Sequence, residues 1–246
     1  MSRYISPVLY VLLILVGCSA FISIAGVRVG MFEPITGFSV LKWSVVASLL
    51  LSFLAVASLA ACRKEKNIKS KRFFWLIFAI SIVYSGFWIA FYLEKSAYPN
   101  INDITTDADI PPAYLNINFL RKSSENDLVY NKEWAEIQKK HYPKIKPFFT
   151  STPKKQVYEA AVALINERGW EMVSEYPKVG VVEATARTPV FGFRDDVVIR
   201  VIRQGDTTRL DIRSCSRVGT SADFGENAAR VEAFLQDLSS RLVVNE

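Results

Sequence analysis

The chain has little of what enzymes usually work with. One of its 246 residues is histidine, His141, and three are cysteine. His141 lies in the Lys- and Pro-rich segment "KKHYPKIKPFF", where a histidine is more often a surface or packing residue than a general base. Cys18 and Cys62 lie in or beside apolar runs, and Cys215 stands alone far downstream. No pair has disulfide or metal-ligand spacing, and nothing in the spacing of Cys215 and His141 supports a nucleophile–base pair. A Gly-x-Ser-x-Gly elbow, a phosphate loop, a dinucleotide fingerprint and a metal-ligand cluster are all missing. Asp195 and Asp196 are adjacent on an expected strand, so they point to opposite faces and do not face each other as a carboxylate pair. The sequence calls for no cofactor and no metal, and catalysis is the less favoured class.

Acidic residues are almost missing from the first third. Residues 1–93 hold two, Glu33 and Glu65, against nine basic residues, whereas residues 94–246 hold 22 acidic and 21 basic. The formal charge of +6 is a property of that first third and is no argument for nucleic acid as a partner. Three runs explain the pattern, Val8–Val27, Trp43–Ala61 and Phe73–Leu93, and none contains a charge. Each has about the 20 residues needed to cross a hydrocarbon core. A soluble core helix has no reason to be apolar all round at that length, so the runs read as three membrane spans. "RKEKNIKSKR", Arg63–Arg72, packs six basic residues into ten positions, which keeps that short loop cytoplasmic. The N-terminus is then cytoplasmic and everything after Leu93 is outside, periplasmic if the membrane is a bacterial inner membrane. "LVGC", Leu15–Cys18, has the look of a lipoprotein cleavage site. The apolar stretch runs on to Val27, however, and only Arg3 precedes it.

The rest divides in two. Residues 94–150 read as an extended arm packing on the domain, with Pro111-Pro112 enforcing extended backbone. Ile101, Ile104, Ile110, Tyr114, Leu115 and Phe119 are its apolar anchors. Asp103, Asp107 and Asp109 lack the glycine and terminal glutamate of a helix–loop–helix calcium site and read as turn residues. Residues 151–246 show a helix capped by Thr152 with Pro153 in its first position, four strand-like runs, and a last helix starting near Asp223, which has capping-box spacing to Glu226. The fold class is α+β: three N-terminal transmembrane helices, then a two-layer sandwich of helix, four-stranded antiparallel meander and helix.

Alternation assigns Val182, Ala184, Ala186, Val197, Ile199, Val201, Leu210 and Ile212 to the helix-facing side. The opposite face carries Glu183, Arg200 and Asp211 side by side, and Arg213 and Arg217. A wet sheet face of weak cross-strand ion pairs is the favoured reading. The stretch "RTPVFGFRDDVV", Arg187–Val198, is the joint between two strands, with Phe191 or Phe193 packing the sandwich end. The alternative is an anion site at the shared strand ends, where Arg187, Arg194, Arg213 and Arg217 gather with Ser221 and Asn227 near a helix N-terminus. Asp195, Asp196 and Asp223 oppose it by neutralising those arginines. The favoured function is a binding or interaction module for an anionic lipid, an envelope component or a membrane-complex protein. The alternative is an envelope hydrolase or transferase acting on a phosphorylated substrate. The bilayer itself is a partner.

"EATARTPVFGFRDDVVIRV" and "DIRSCSRVGTSADFGENAARVEAFL", with "NDITTDADIPPAY" and "YPKIKPF" upstream, closely resemble the domain of unknown function 1499 family over roughly Pro99 to Leu238. "RVGMFEPITGFSVLKW" is similar to the membrane region preceding this domain in some bacterial members. The resemblance implies an envelope-associated bacterial protein with plastid relatives. It transfers no activity and no catalytic residue.

Overall fold

The computed structural model describes residues 1–218 and 223–244. Contacts divide the chain into a helical unit, Met1–Ser96 with Val190–Gly192, and a sheet unit holding the remainder.

Three helices build the first unit: α1 (Ser2–Arg28), α2 (Pro34–Ala61) and α3 (Ile68–Lys95). All three are long and apolar enough to cross a membrane. Where α2 meets α3, small polar residues recur at helical spacing. Ser44, Ser48, Ser52 and Ser58 are buried on α2, and Ser81 and Ser85 on α3. Serines let two backbones approach closely, and all of these hydroxyls but that of Ser81 find a hydrogen-bond partner within the bundle. Ser44 Oγ lies 2.6 Å from the Tyr84 hydroxyl, and Ser48 Oγ donates to the Ser81 carbonyl at 3.1 Å. At Gly37 a Cβ would overlap Val27 and the Ser23 carbonyl, so glycine sets the approach of α1 to α2. The Ser2 N–H donates to the Glu65 carboxylate at 3.2 Å, which brings the start of α1 and the basic loop to one end of the bundle.

The sheet unit has four central strands, β3 (Glu171–Tyr176), β4 (Val181–Arg187), β5 (Arg194–Gln204) and β6 (Thr207–Ser216). They form an antiparallel meander. Helices α5 (Lys154–Glu167) and α6 (Glu226–Val244) cover one face. As alternation requires, Val182, Ala184, Ile199, Val201, Leu210 and Ile212 point into the core with Ile165, Phe234 and Leu238. α5 begins one residue later than its sequence signals, with Pro153 in the capping position. α6 begins three residues after Asp223, whose carboxylate accepts from the Gly225 and Asn227 amides.

Two short strands complete an open six-stranded sheet. β1 (Asp103–Thr105) and β2 (Phe148–Thr150) both pair with β6. Between them the arm crosses the other face of the sheet, with one short helix, α4 (Trp134–His141), on the way. The charged face is therefore dry. Glu183, Asp196, Asp211, Arg213 and Arg217 are all buried, which corrects the expectation of a wet face. Alternation identified a polar face but carries no information about what lies over it. Arg200 and Asp211 are neighbours, as expected, at 2.8 Å. Glu183 is not beside them; it stands opposite Val198 and accepts from the Asn116 amide at 2.8 Å and the Ser174 hydroxyl at 2.7 Å. Of the expected arm anchors, Ile101, Ile104 and Tyr114 are buried, while Ile110, Leu115 and Phe119 are exposed, with Ile117 taking the inward position instead.

Candidate functional site

The arm, the meander and α6 bring seven charged side chains into three buried clusters. Arg213, from β6, forms a fork on Asp103, from β1, with Nη2–Oδ2 at 2.6 Å and Nε–Oδ1 at 3.0 Å. Its guanidinium also donates to the Leu128 carbonyl and lies over the Tyr114 and Tyr130 rings, 5.0 and 5.5 Å from their centres. Burial works against both charges: it pushes the Asp103 carboxyl up, and the bonds from Arg213 only partly offset this. It also pulls Arg213 down, but the bonds and charge of Asp103 outweigh it and raise that guanidinium. A guanidinium does not deprotonate in a protein, so Arg213 keeps its charge beside Asp103.

A second cluster centres on Asp196, from β5. Arg217 reaches its Oδ1 at 2.7 Å, Arg121 reaches its Oδ2 at 2.9 Å, and the Thr185 hydroxyl donates at 2.9 Å. Arg121 comes from the arm and also donates to the Cys215 carbonyl at 3.0 Å. In a third cluster Arg230, from α6, holds Asp195 at 2.6 Å and donates to Ser214 and Asn227. Desolvated pairs of this kind, bidentate for Arg213–Asp103 and Arg217–Asp196, fix geometry, and each joins residues well apart in sequence.

The sequence-predicted anion residues therefore fall into different places. Arg213 and Arg217 are buried on carboxylates. Asn227 is buried, donating to the Asn102 carbonyl and the Ser216 hydroxyl. Ser221 lies outside the described residues. Arg187 and Arg194 are exposed and stand directly opposite one another at the ends of β4 and β5. Arg187 has one loose ion pair, with the exposed Glu171 at 3.8 Å. The side chain of Arg194 makes no hydrogen bond or ion pair among the described residues. The turn between them closes through the Thr188 N–H on the Phe193 carbonyl at 2.9 Å and the Phe193 N–H on the Thr188 hydroxyl at 3.0 Å. Gly192 has φ 63°, a conformation that favours glycine. The tip belongs to the helical unit, where Phe191 meets Phe38 edge-on at 5.5 Å. Of the two alternatives for packing the sandwich end, Phe191 or Phe193, Phe191 is thereby ruled out.

Sequence reasoning missed Arg121, Asp103, Tyr114 and Arg230 as members of the clusters. No local pattern marks them, because their partners lie 75, 110, 82 and 35 positions away. The groups with chemical potential are quiet. His141 is exposed, with Nδ1 on the Ile137 carbonyl of its own helix. Burial, with the charge of Asp103 adding, raises the Cys215 thiol to about 12, so its thiolate is scarce at neutral pH. Among the described residues no three His, Cys, Asp or Glu side chains gather as metal ligands. An open groove of about 630 Å³ runs past Ser151, Thr152, Gln156, Glu159 and Arg241, and none of the five described candidate residues lines it.

A family model described as "Protein of unknown function (DUF1499)" matches residues 103–238. The match begins at the first residue of β1 and ends inside α6, so it includes the arm as well as the meander. No curated protein matches the chain.

Proposed function

The chain belongs to the DUF1499 family, a family of unknown function, and we propose that it is a non-enzymatic interaction module held at a membrane surface. The module stands on the extracytoplasmic side of a bacterial inner membrane and engages an anionic lipid, an envelope component or a protein of a membrane complex. One observation carries this reading. The buried arginines Arg213 and Arg217, with Arg121 from the arm and Arg230 from α6, are matched by the protein's own carboxylates. A phosphoryl-transfer site keeps its cations aimed at an open cavity, whereas these are consumed in pairing the sheet with the arm, with α6 and with itself. The basic loop Arg63–Arg72 supports the orientation.

The test is purification of the full-length chain in mild detergent, with lipid and protein mass spectrometry against an unrelated three-span protein. A lipid or protein enriched on this chain alone is expected. Enrichment of nothing, or turnover of a phosphorylated substrate by the purified chain, overturns the reading.

A further inference from the structure

We infer that the acid-free segment Lys139–Phe149 is the surface by which the sheet unit lies on an anionic bilayer, with Lys140, Lys144 and Lys146 as its contacts to phosphate. The inference rests on the membrane-module reading and narrows it to one ligand class and one surface. It begins with charge. Residues 94–246 are nearly balanced, with 22 acidic and 21 basic residues, yet "KKHYPKIKPFF" holds four lysines and no acidic residue. All four lysines are exposed. Lys139 is answered by Glu136 at 3.0 Å. Lys140, Lys144 and Lys146 make no hydrogen bond or ion pair among the described residues. The segment is held at three points. At one end the Gln138 side chain pairs with the backbone of β1: its Nε2 donates to the Thr105 carbonyl at 2.7 Å, and its Oε1 accepts from the Thr105 N–H at 3.1 Å. In the middle Ile145, between Lys144 and Lys146, is buried in the core. At the other end Phe148–Thr150 pairs with β6. Buried Gln138 and Ile145 fix the backbone from which the exposed lysines project. Like charges displayed together without a counter-ion repel, and an anionic surface relieves that repulsion.

Two features favour a bilayer over a soluble polyanion. Ile137 and Phe149, which flank the lysines in sequence, are 37% and 51% exposed. Lysines beside exposed apolar side chains suit the headgroup boundary, where apolar groups meet acyl chains and ammoniums meet phosphates. The unit is also tethered. Seven residues, Ser96–Asn102, separate β1 from α3, a helix apolar enough to cross a membrane. Fully extended they span about 25 Å, so a bilayer surface is always within reach, whereas a soluble polyanion has to be captured from dilute solution.

The full-length chain is reconstituted in nanodiscs of phosphatidylcholine, with or without phosphatidylglycerol, and lysine acetylation rates are read by mass spectrometry. All four lysines of the segment react more slowly in the anionic discs and lose that protection at high salt. Lys155, exposed on α5, reacts equally in both. Each lysine near an anionic surface is worth about a factor of five in affinity, so Lys140→Gln with Lys144→Gln and Lys146→Gln weakens docking about 100-fold. The remaining Lys139 is the reporter, and in that variant it reacts equally in the two discs. The variant melts no lower than wild type in detergent, because it removes exposed, unpaired charges. A lower melting temperature assigns the lysines a structural role and overturns the inference, as do equal rates in the two discs for the wild type. Polyglutamate added to phosphatidylcholine discs at the same charge concentration protects the lysines less than phosphatidylglycerol does; equal protection overturns the commitment to a bilayer. None of these three results touches the wider module reading, which fails only if no lipid or protein is enriched or if turnover is found.

Discussion

Asp196→Asn separates a dry charged face from a wet one. On a solvated sheet the change removes cross-strand pairs worth a few tenths of a kcal/mol each. In the structure Asp196 is fully buried and is the anion for two buried guanidiniums, Arg217 and Arg121. Asparagine keeps the shape and an acceptor for Thr185 but removes the charge. Two cations are then left out of water without a counter-ion, and breaking one partner of a buried pair costs about 3–5 kcal/mol. For a unit of this size 1 kcal/mol shifts the melting temperature by about 2–4 °C, so a fall of roughly 6–20 °C follows. The assay is the thermal transition of the full-length chain in detergent, followed by near-ultraviolet circular dichroism. A fall of less than about 2 °C refutes the reasoning, because it is the size a screened surface pair gives. Thr185→Ala supplies the scale for losing a hydroxyl that donates to Asp196 and accepts from Arg217, with a loss of about 1.5–3 kcal/mol.

Other outcomes follow from the same geometry. Asp103→Leu combined with Arg213→Met is far milder than Asp103→Asn alone, since a buried pair replaced by apolar residues of similar volume is often near neutral while an orphaned charge is not; urea midpoints measure both. Cys215 resists a thiol reagent at pH 8 in the native protein and reacts on unfolding. Its folded-state value near 12 lies above the ordinary value of 9, so its contribution to stability is complete below about pH 9 and is lost as pH rises toward 12, which melting curves across that window detect. Gly37→Val forces α1 from α2 and lowers the yield of folded protein from detergent extraction, whereas Gly17→Val, where a Cβ meets nothing within 4 Å, does not. A periplasm-specific reporter fused after Glu246 is active, and activity of a cytoplasm-specific reporter there reverses the topology.

What could be read from the sequence depended on how far each signal reaches. Spans and strands are local: charge-free runs of the right length, and alternation along Val182–Ala186 or Val197–Val201, identify their elements without outside help. The helix-facing side of the sheet followed because apolar residues have one destination. The charged side did not, because Arg213 is equally at home in water or on a carboxylate. Its partner Asp103 sits in a segment whose Asp, Thr, Asn and Pro content signals turns. Ile110, Leu115 and Phe119 show the converse, since regular apolar spacing in an irregular segment does not say which residues turn inward. The conspicuous stretch Arg187–Val198 drew attention through residue types that are reactive when free. Asp195 and Asp196 turned out to be the internal counter-ions, and Arg187 and Arg194 the exposed remainder.

The placement of β1 has a mechanical consequence. The strand begins at Asp103, a few residues after α3 ends at Lys95, and it is zipped onto β6 by backbone bonds and by the Asp103–Arg213 fork. The segment that leaves the helices is thus also a structural strand of the sheet and the start of the cover over its charged face. Tension along the chain at that point loads β1 first. Peeling it away uncovers Arg213 without its counter-ion, so opening there costs an ion pair as well as backbone bonds. An ordinary flexible linker would absorb such a pull by straightening, whereas this segment ends in a strand paired with β6.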